Sequence, residues 1–202
     1  MITMPLEPDS PDPDPLSSEQ WQTGGGSHLD LVIDRHIWPD DVIDAVRPSL
    51  VRATDIACEI FDWPRLEVGA LLGGDGRIRD LNLRFRGKDA PTNVLSFPSG
   101  DDGVMMEATD GGSGAMDMAR LAPGEIAIAW ETVRREAARE SKSIHDHLTH
   151  LWVHGLLHLM GHDHETDDEA DCMEAGEIRV LERLGIANPY ARPADEPAGE
   201  TA

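Results

Sequence analysis

The chain has 202 residues, with 39 Asp+Glu against 17 Lys+Arg and a formal net charge of −22. That length allows one domain with its own core. So acidic a balance excludes broad, sequence-blind binding to nucleic acid unless the few cations are gathered in one place. No stretch approaches the ~18 apolar residues of a membrane span. The N-terminus also lacks the basic start and apolar middle of a secretory signal, so a soluble, cytoplasmic protein with no membrane partner is expected. The two cysteines, Cys58 and Cys172, fall in no paired motif and are expected to pack as small apolar residues in a reducing compartment.

Residues 1–27 read as a disordered acidic tail. Prolines alternate there with Asp and Glu, and Gly24-Gly25-Gly26 closes the segment as a flexible joint. Such composition buries too little apolar surface to offset chain entropy. Leu29–Asp34 alternates as a strand. Pro39 opens a long helix in which Val42, Ile43, Val46, Leu50, Val51, Ile56, Ile60 and Phe61 recur at helical spacing, and Trp63-Pro64 ends it. Leu66–Leu72 is a second strand, followed by a glycine turn and a short helix carrying Ile78, Leu81 and Leu83. Asn93–Pro98 is a third strand, and residues 99–122 form a mobile insertion without period. A fourth strand over Glu125–Trp130 leads into a charged helix near Glu131–Lys142. A further helix runs from Ile144 to Met160, and a last one from Asp167 to Leu184 turns Cys172, Met173, Ile178, Val180 and Leu181 inward. Residues 191–202 form a second disordered tail. The order of elements predicts a single α+β domain over 28–190, with a small mixed sheet of about four strands packed by helices.

The helix over 144–160 carries the most informative residues. His154 and His158 are four apart, hence one turn apart on one face. Leu151, Trp152, Val153, Leu156, Leu157, Leu159 and Met160 make this helix apolar nearly all round, so it is expected to be buried. Buried imidazoles need partners at both ring nitrogens, and one metal ion satisfies several rings together. Gly161 offers a helix end after which the chain can turn back. The spacing then favours His164 over His162 as a third ligand, with Asp163 or Glu165 orienting the set. Three neutral nitrogens suit zinc, which takes its fourth ligand from water where chemistry is done. A zinc peptidase helix carries a glutamate directly after its first histidine as general base. Gly155 stands at that position, which argues against peptide hydrolysis.

A second constellation is basic. Arg77, Arg79, Arg84, Arg86 and Lys88 are five of the 17 cationic residues, and they run into the turn Arg86-Gly87-Lys88-Asp89-Ala90-Pro91-Thr92-Asn93. Asp80 and Asp89 can balance part of this charge as an ordinary helix face. A guanidinium nonetheless matches a phosphate with parallel donors at any working pH. Arg134, Arg135, Arg139 and Lys142 are interleaved with Glu131, Glu136 and Glu140 and read as a solvated helix face.

Two segments, Phe85-Arg86-Gly87-Lys88-Asp89-Ala90-Pro91-Thr92-Asn93-Val94-Leu95-Ser96-Phe97-Pro98 and His154-Gly155-Leu156-Leu157-His158-Leu159-Met160-Gly161-His162-Asp163-His164, closely resemble the YbeY family of bacterial endoribonucleases. The resemblance implies a zinc-dependent, single-strand-specific endoribonuclease that matures the 3′ end of 16S ribosomal RNA and serves ribosome quality control. It implies one Zn2+ held by His154, His158 and His164, and Arg86 as the catalytic basic residue. Its partners would be single-stranded ribosomal RNA and the small ribosomal subunit with its proteins. The family usually has tyrosine where His162 stands, and Leu-Gly-Asp-Ile where this chain reads Pro123-Gly124-Glu125-Ile126, so no role is carried to Glu125. Two other readings remain. One is an assembly factor with a mainly structural zinc, and the other a metallohydrolase acting on something other than RNA.

Overall fold

A computed structural model describes residues 16–63, 65–99 and 121–191. It contains strands β1 (Leu16–Gln22), β2 (His28–Asp34), β3 (Leu66–Gly73), β4 (Val94–Pro98) and β5 (Leu121–Ala129). The helices are α1 (Asp40–Phe61), α2 (Asp75–Arg86), α3 (Trp130–Arg139), α4 (Ile144–Leu159) and α5 (Asp167–Arg183). The sheet order is β1-β2-β3-β5-β4. β2, β3 and β5 run parallel, and β1 and β4 are antiparallel at the two edges. This is the α+β domain with a mixed sheet that the sequence predicts, with five strands where about four are expected.

The additional strand is β1, and it corrects the expected tail over 1–27. Residues 16–22 pair along their whole length with β2, from Leu16 opposite Asp34 to Gln22 opposite His28. Two side chains fix it there. Trp21 is buried, with the Arg47 guanidinium over its ring. Glu19 accepts from the Trp21 indole, from Arg35 and from Arg47. The glycine run is a hairpin turn rather than a loose joint: Thr23 N donates to the Ser27 carbonyl, Gly26 N to the Thr23 carbonyl, and Gly25 N to Asp55. Residues 1–15, 192–202 and most of the expected insertion, 100–120, lie outside the described residues.

Alternation along β3 and β5 separates two cores. Val68, Ala70 and Leu72 with Ile126 and Ile128 face α1, α4 and α5. Leu71, Ala127 and Ala129 face the other way, where Ile78 and Leu81 of α2 cover them. α4 is enclosed on nearly every side, as its all-round apolar sequence requires. The Trp152 indole donates to Thr54 of α1 inside the core. One inward expectation fails: Cys172 is exposed while Cys58 is buried. Met173, Gly176, Glu177, Val180 and Leu181 fill the covered face of α5, so Cys172 falls on its solvent side.

Replacing Trp21 with Ala is expected to cost about 3 kcal/mol or more, in line with loss of a buried indole, read as a lowered urea midpoint. No change in midpoint would mean that residues 16–22 contribute nothing to the fold.

Candidate metal centre

Ser143 caps α4 by accepting from Asp146 N. The helix then runs through His147, His150, His154 and His158, a stripe at intervals of three, four and four residues that keeps all four rings on neighbouring turns. Gly161, in the left-handed region at φ +88, reverses the chain. His162 N returns to the Leu157 carbonyl, and Asp163 accepts from His164 N. His154, His158 and His164 thereby converge, each offering a ring nitrogen within 4.8 Å of the others. The other candidate, His162, turns its ring away to pack edge-on against Phe61 of α1, 4.8 Å between centroids.

The hydrogen bonds around the rings define their protons. Glu177 of α5 is buried and accepts from His154 Nδ1 at 2.8 Å, from His150 Nε2 at 2.7 Å and from the Tyr190 hydroxyl at 2.5 Å. Burial alone would raise its carboxyl, but these donors outweigh burial and hold it down at about 2. An ionised carboxylate only accepts, so His154 carries its proton on Nδ1. His158 Nδ1 lies 3.0 Å from the His162 carbonyl, which also only accepts. With both rings neutral, as metal binding requires, both Nε2 atoms present lone pairs, and they face each other at 3.1 Å. Two such lone pairs at this separation fit a shared cation, and the partners on Nδ1 are those that orient ligating histidines. Burial first, then the neighbouring His154 and His164, push His158 down to about 4, which keeps it in the neutral form a metal requires. A cavity of about 230 Å³ opens beside the rings, walled by His154, His164, Met173, Glu174, Glu177 and Tyr190.

Gly155 has a steric explanation. A Cβ there would meet Ile126 Cδ1 at 3.0 Å and Cγ2 at 3.2 Å, and Ser96 Oγ at 3.2 Å. The helix lies so close to β4 and β5 that the glutamate of a peptidase has no room. Arg86 reaches the same strand, β4. It ends α2, where Gly87 at φ +67 closes the helix, and its Nη2 reaches the Ser96 carbonyl at 3.5 Å. Arg86 and Gly155 thus both meet Ser96, the first at its carbonyl and the second at its hydroxyl. Arg79 is committed to Asp89 through two bonds. Arg84 lies over the Phe85 ring, and no carboxylate among the described residues pairs with Arg84, Arg86 or Lys88.

Glu177, His150 and Tyr190 are absent from the sequence-based candidates. The stripe of histidines through 147 and 150 was a visible signal for His150. Glu177 and Tyr190 had none, because only tertiary packing brings α5 and the C-terminal segment to this face of α4.

A family model described as Endoribonuclease YbeY matches residues 42–185, well over half of the chain. The chain is 44% identical over 164 residues to the Endoribonuclease YbeY of Rhodopseudomonas palustris, covering 80% of each sequence. It is 43% identical to that of Chelativorans sp., covering 81% of this chain and 93% of the relative. A solution structure of a Thermotoga maritima protein aligns over 76% of this chain and 94% of its own, at 22% identity and a TM-score of 0.44.

Gly155→Ala is expected to lose roughly 1–3 kcal/mol of stability through overpacking against Ile126 and Ser96, measured by urea unfolding. A pH effect follows from His147, buried on α4 beside Glu136. Burial lowers its pKa more than the Glu136 bond raises it. The unfolded chain therefore binds this proton more tightly than the folded one. The resulting stability is present above about 6.5 and is lost as pH falls through the lower folded value. In metal-free protein the urea midpoint is expected to drop between pH 7 and 5, and to drop less in His147→Gln; equal slopes would remove His147 as a cause.

Proposed function

The chain belongs to the YbeY family of endoribonucleases, and on that premise we propose that it is a hydrolase cleaving single-stranded ribosomal RNA, with one zinc ion held by His154, His158 and His164. The observation that carries the reading is the convergence of three imidazoles, with His154 Nε2 and His158 Nε2 3.1 Å apart and a ring nitrogen of His164 beside them. An all-imidazole donor set of this kind suits zinc over the hard, oxygen-seeking cations. When bound, the ion supplies charge that polarises a phosphoryl oxygen and lowers the pKa of water.

The protein's own groups supply the rest. Glu177 and the His162 carbonyl hold the two Nδ1 protons, which keeps both Nε2 lone pairs turned inward. Arg86 spends one weak bond on Ser96, leaving further N–H donors for a non-bridging phosphate oxygen, where charge grows during cleavage. Gly155 leaves that position without a side-chain base, which favours a phosphodiester over a peptide as substrate. The substrate is taken to be the 3′ end of the small-subunit RNA, in maturation and ribosome quality control. The work would be done in the cytoplasm against the small subunit and its proteins; no helix among the described residues is long and apolar enough to cross a membrane.

The net charge of −22 favours a second reading, an assembly factor that docks on basic ribosomal proteins and uses its zinc structurally. Substitution separates the two. Arg86→Ala is expected to abolish cleavage of ribosomal particles while leaving zinc content intact. His158→Ala is expected to lose both zinc and RNA end maturation in cells. Normal maturation by a folded His158→Ala protein would sink the nuclease reading, and unchanged cleavage by Arg86→Ala would remove that residue from it.

A further inference from the structure

Tyr190 lies beyond α5 and beyond the span that the family model matches, 42–185, yet its hydroxyl reaches the metal centre. It donates to Glu177 Oε2 at 2.5 Å, and His150 Nε2 donates to the same oxygen at 2.7 Å. The other oxygen, Oε1, holds His154 Nδ1 at 2.8 Å. The terminal torsion of a glutamate is broad and roughly two-fold, so a single bond to His154 would leave the carboxylate plane free to swing. Two donors converging on Oε2 remove that freedom.

Both donors are themselves held. Tyr190 N donates to Asn188 Oδ1 at 2.8 Å, closing a local turn, and Lys142 Nζ donates to the Pro189 carbonyl at 3.4 Å. The Tyr190 ring stands edge-on to His150, 5.6 Å between centroids. His150 Nδ1 is buried without a hydrogen-bond partner, so the polar anchorage of that ring comes through Nε2 alone. A buried imidazole with one nitrogen unsatisfied is costly; its retention beside Glu177 is accounted for if the Nε2 bond has a use.

We propose that Tyr190 and His150 are positioning residues of the metal centre, fixing the plane of the Glu177 carboxylate so that Oε1 holds the His154 ring with Nε2 toward His158 and His164. The inference rests on the metal reading above. It makes the segment after α5 a working part of the site rather than a simple chain end.

Zinc affinity of the full-length protein, measured by competition with a chromophoric chelator, tests this without reference to RNA cleavage. Tyr190→Phe keeps the ring and its packing and loses the hydroxyl. It is expected to bind zinc at least about tenfold more weakly, the range found when a partner of a ligating histidine is lost, at a temperature where the metal-free variant is still fully folded. His150→Gln retains an amide donor and is expected to bind more tightly than His150→Leu. Equal zinc affinity in Tyr190→Phe and wild type overturns the inference alone. A loss of affinity seen only where the metal-free variant is partly unfolded also overturns it, since that marks a packing role. A wild-type protein that takes up no zinc overturns the metal reading itself.

Discussion

A charged carboxylate sealed inside the protein, Glu177, ties together the parts of the molecule that matter most. Moving such a group out of water costs several kcal/mol unless its lone pairs are answered. Here they are answered by His150 and His154 from α4 and by Tyr190 from the segment after α5. The fold around it follows from that demand. α5 must present Glu177 to α4 at hydrogen-bond distance, and the capping box of Thr166 and Glu169 fixes where α5 begins. That start, in turn, limits the chain after Gly161 to a short return that carries His164 back to the rings. One buried charge thus constrains two helices, the turn between them and the C-terminal segment.

The opposite side of α4 is governed by shape. Gly155 lets the helix settle onto Ile126 and Ser96, and Trp152 anchors it to Thr54 of α1. With packing this close on the sheet side and Glu177 on the other, α4 has little freedom to rotate. A rotation sufficient to relieve one contact would strain the other. This rigidity holds His154 and His158 with their Nε2 atoms 3.1 Å apart, because a closely packed interior leaves the rings little room to move.

The parts of this arrangement legible in the sequence are those set by local periodicity. The i, i+4 histidines, the glycine that reverses the chain and the apolar wrapping of α4 are all short-range, and each is found where the spacing puts it. The same holds for α1, β3 and α5 to within a residue or two. β1 was illegible because Ser17-Ser18-Glu19-Gln20 shows no apolar alternation. Its place is fixed by pairing with β2 and by Arg35 and Arg47, which lie far along the chain. Cys172 departs from its expected inward place because periodicity gives a stripe without saying how wide it is. Glu177 and Tyr190 carried no local signal, since a carboxylate in a helix and a tyrosine near a proline look like surface until tertiary contacts are known. In the sequence Gly155 marks the loss of a base; in the structure it is also a steric requirement.

The charge distribution gives these observations a common direction. The acidic excess of this chain would repel an RNA from most of its surface, and the side of the cavity formed by Glu174 and Glu177 repels a phosphate in particular. On the proposed function, the end of α2 is a favourable side for a phosphodiester, because Arg84, Arg86 and Lys88 are not neutralised by any described carboxylate. Arg86 is the one of these that contacts β4, through the Ser96 carbonyl, and Ser96 abuts Gly155. The glycine that lets the helix settle onto the strand and the arginine that closes α2 therefore share Ser96 as a neighbour: a larger residue at 155 would push α4 away from β4, and so change the placement of the histidines relative to the end of α2.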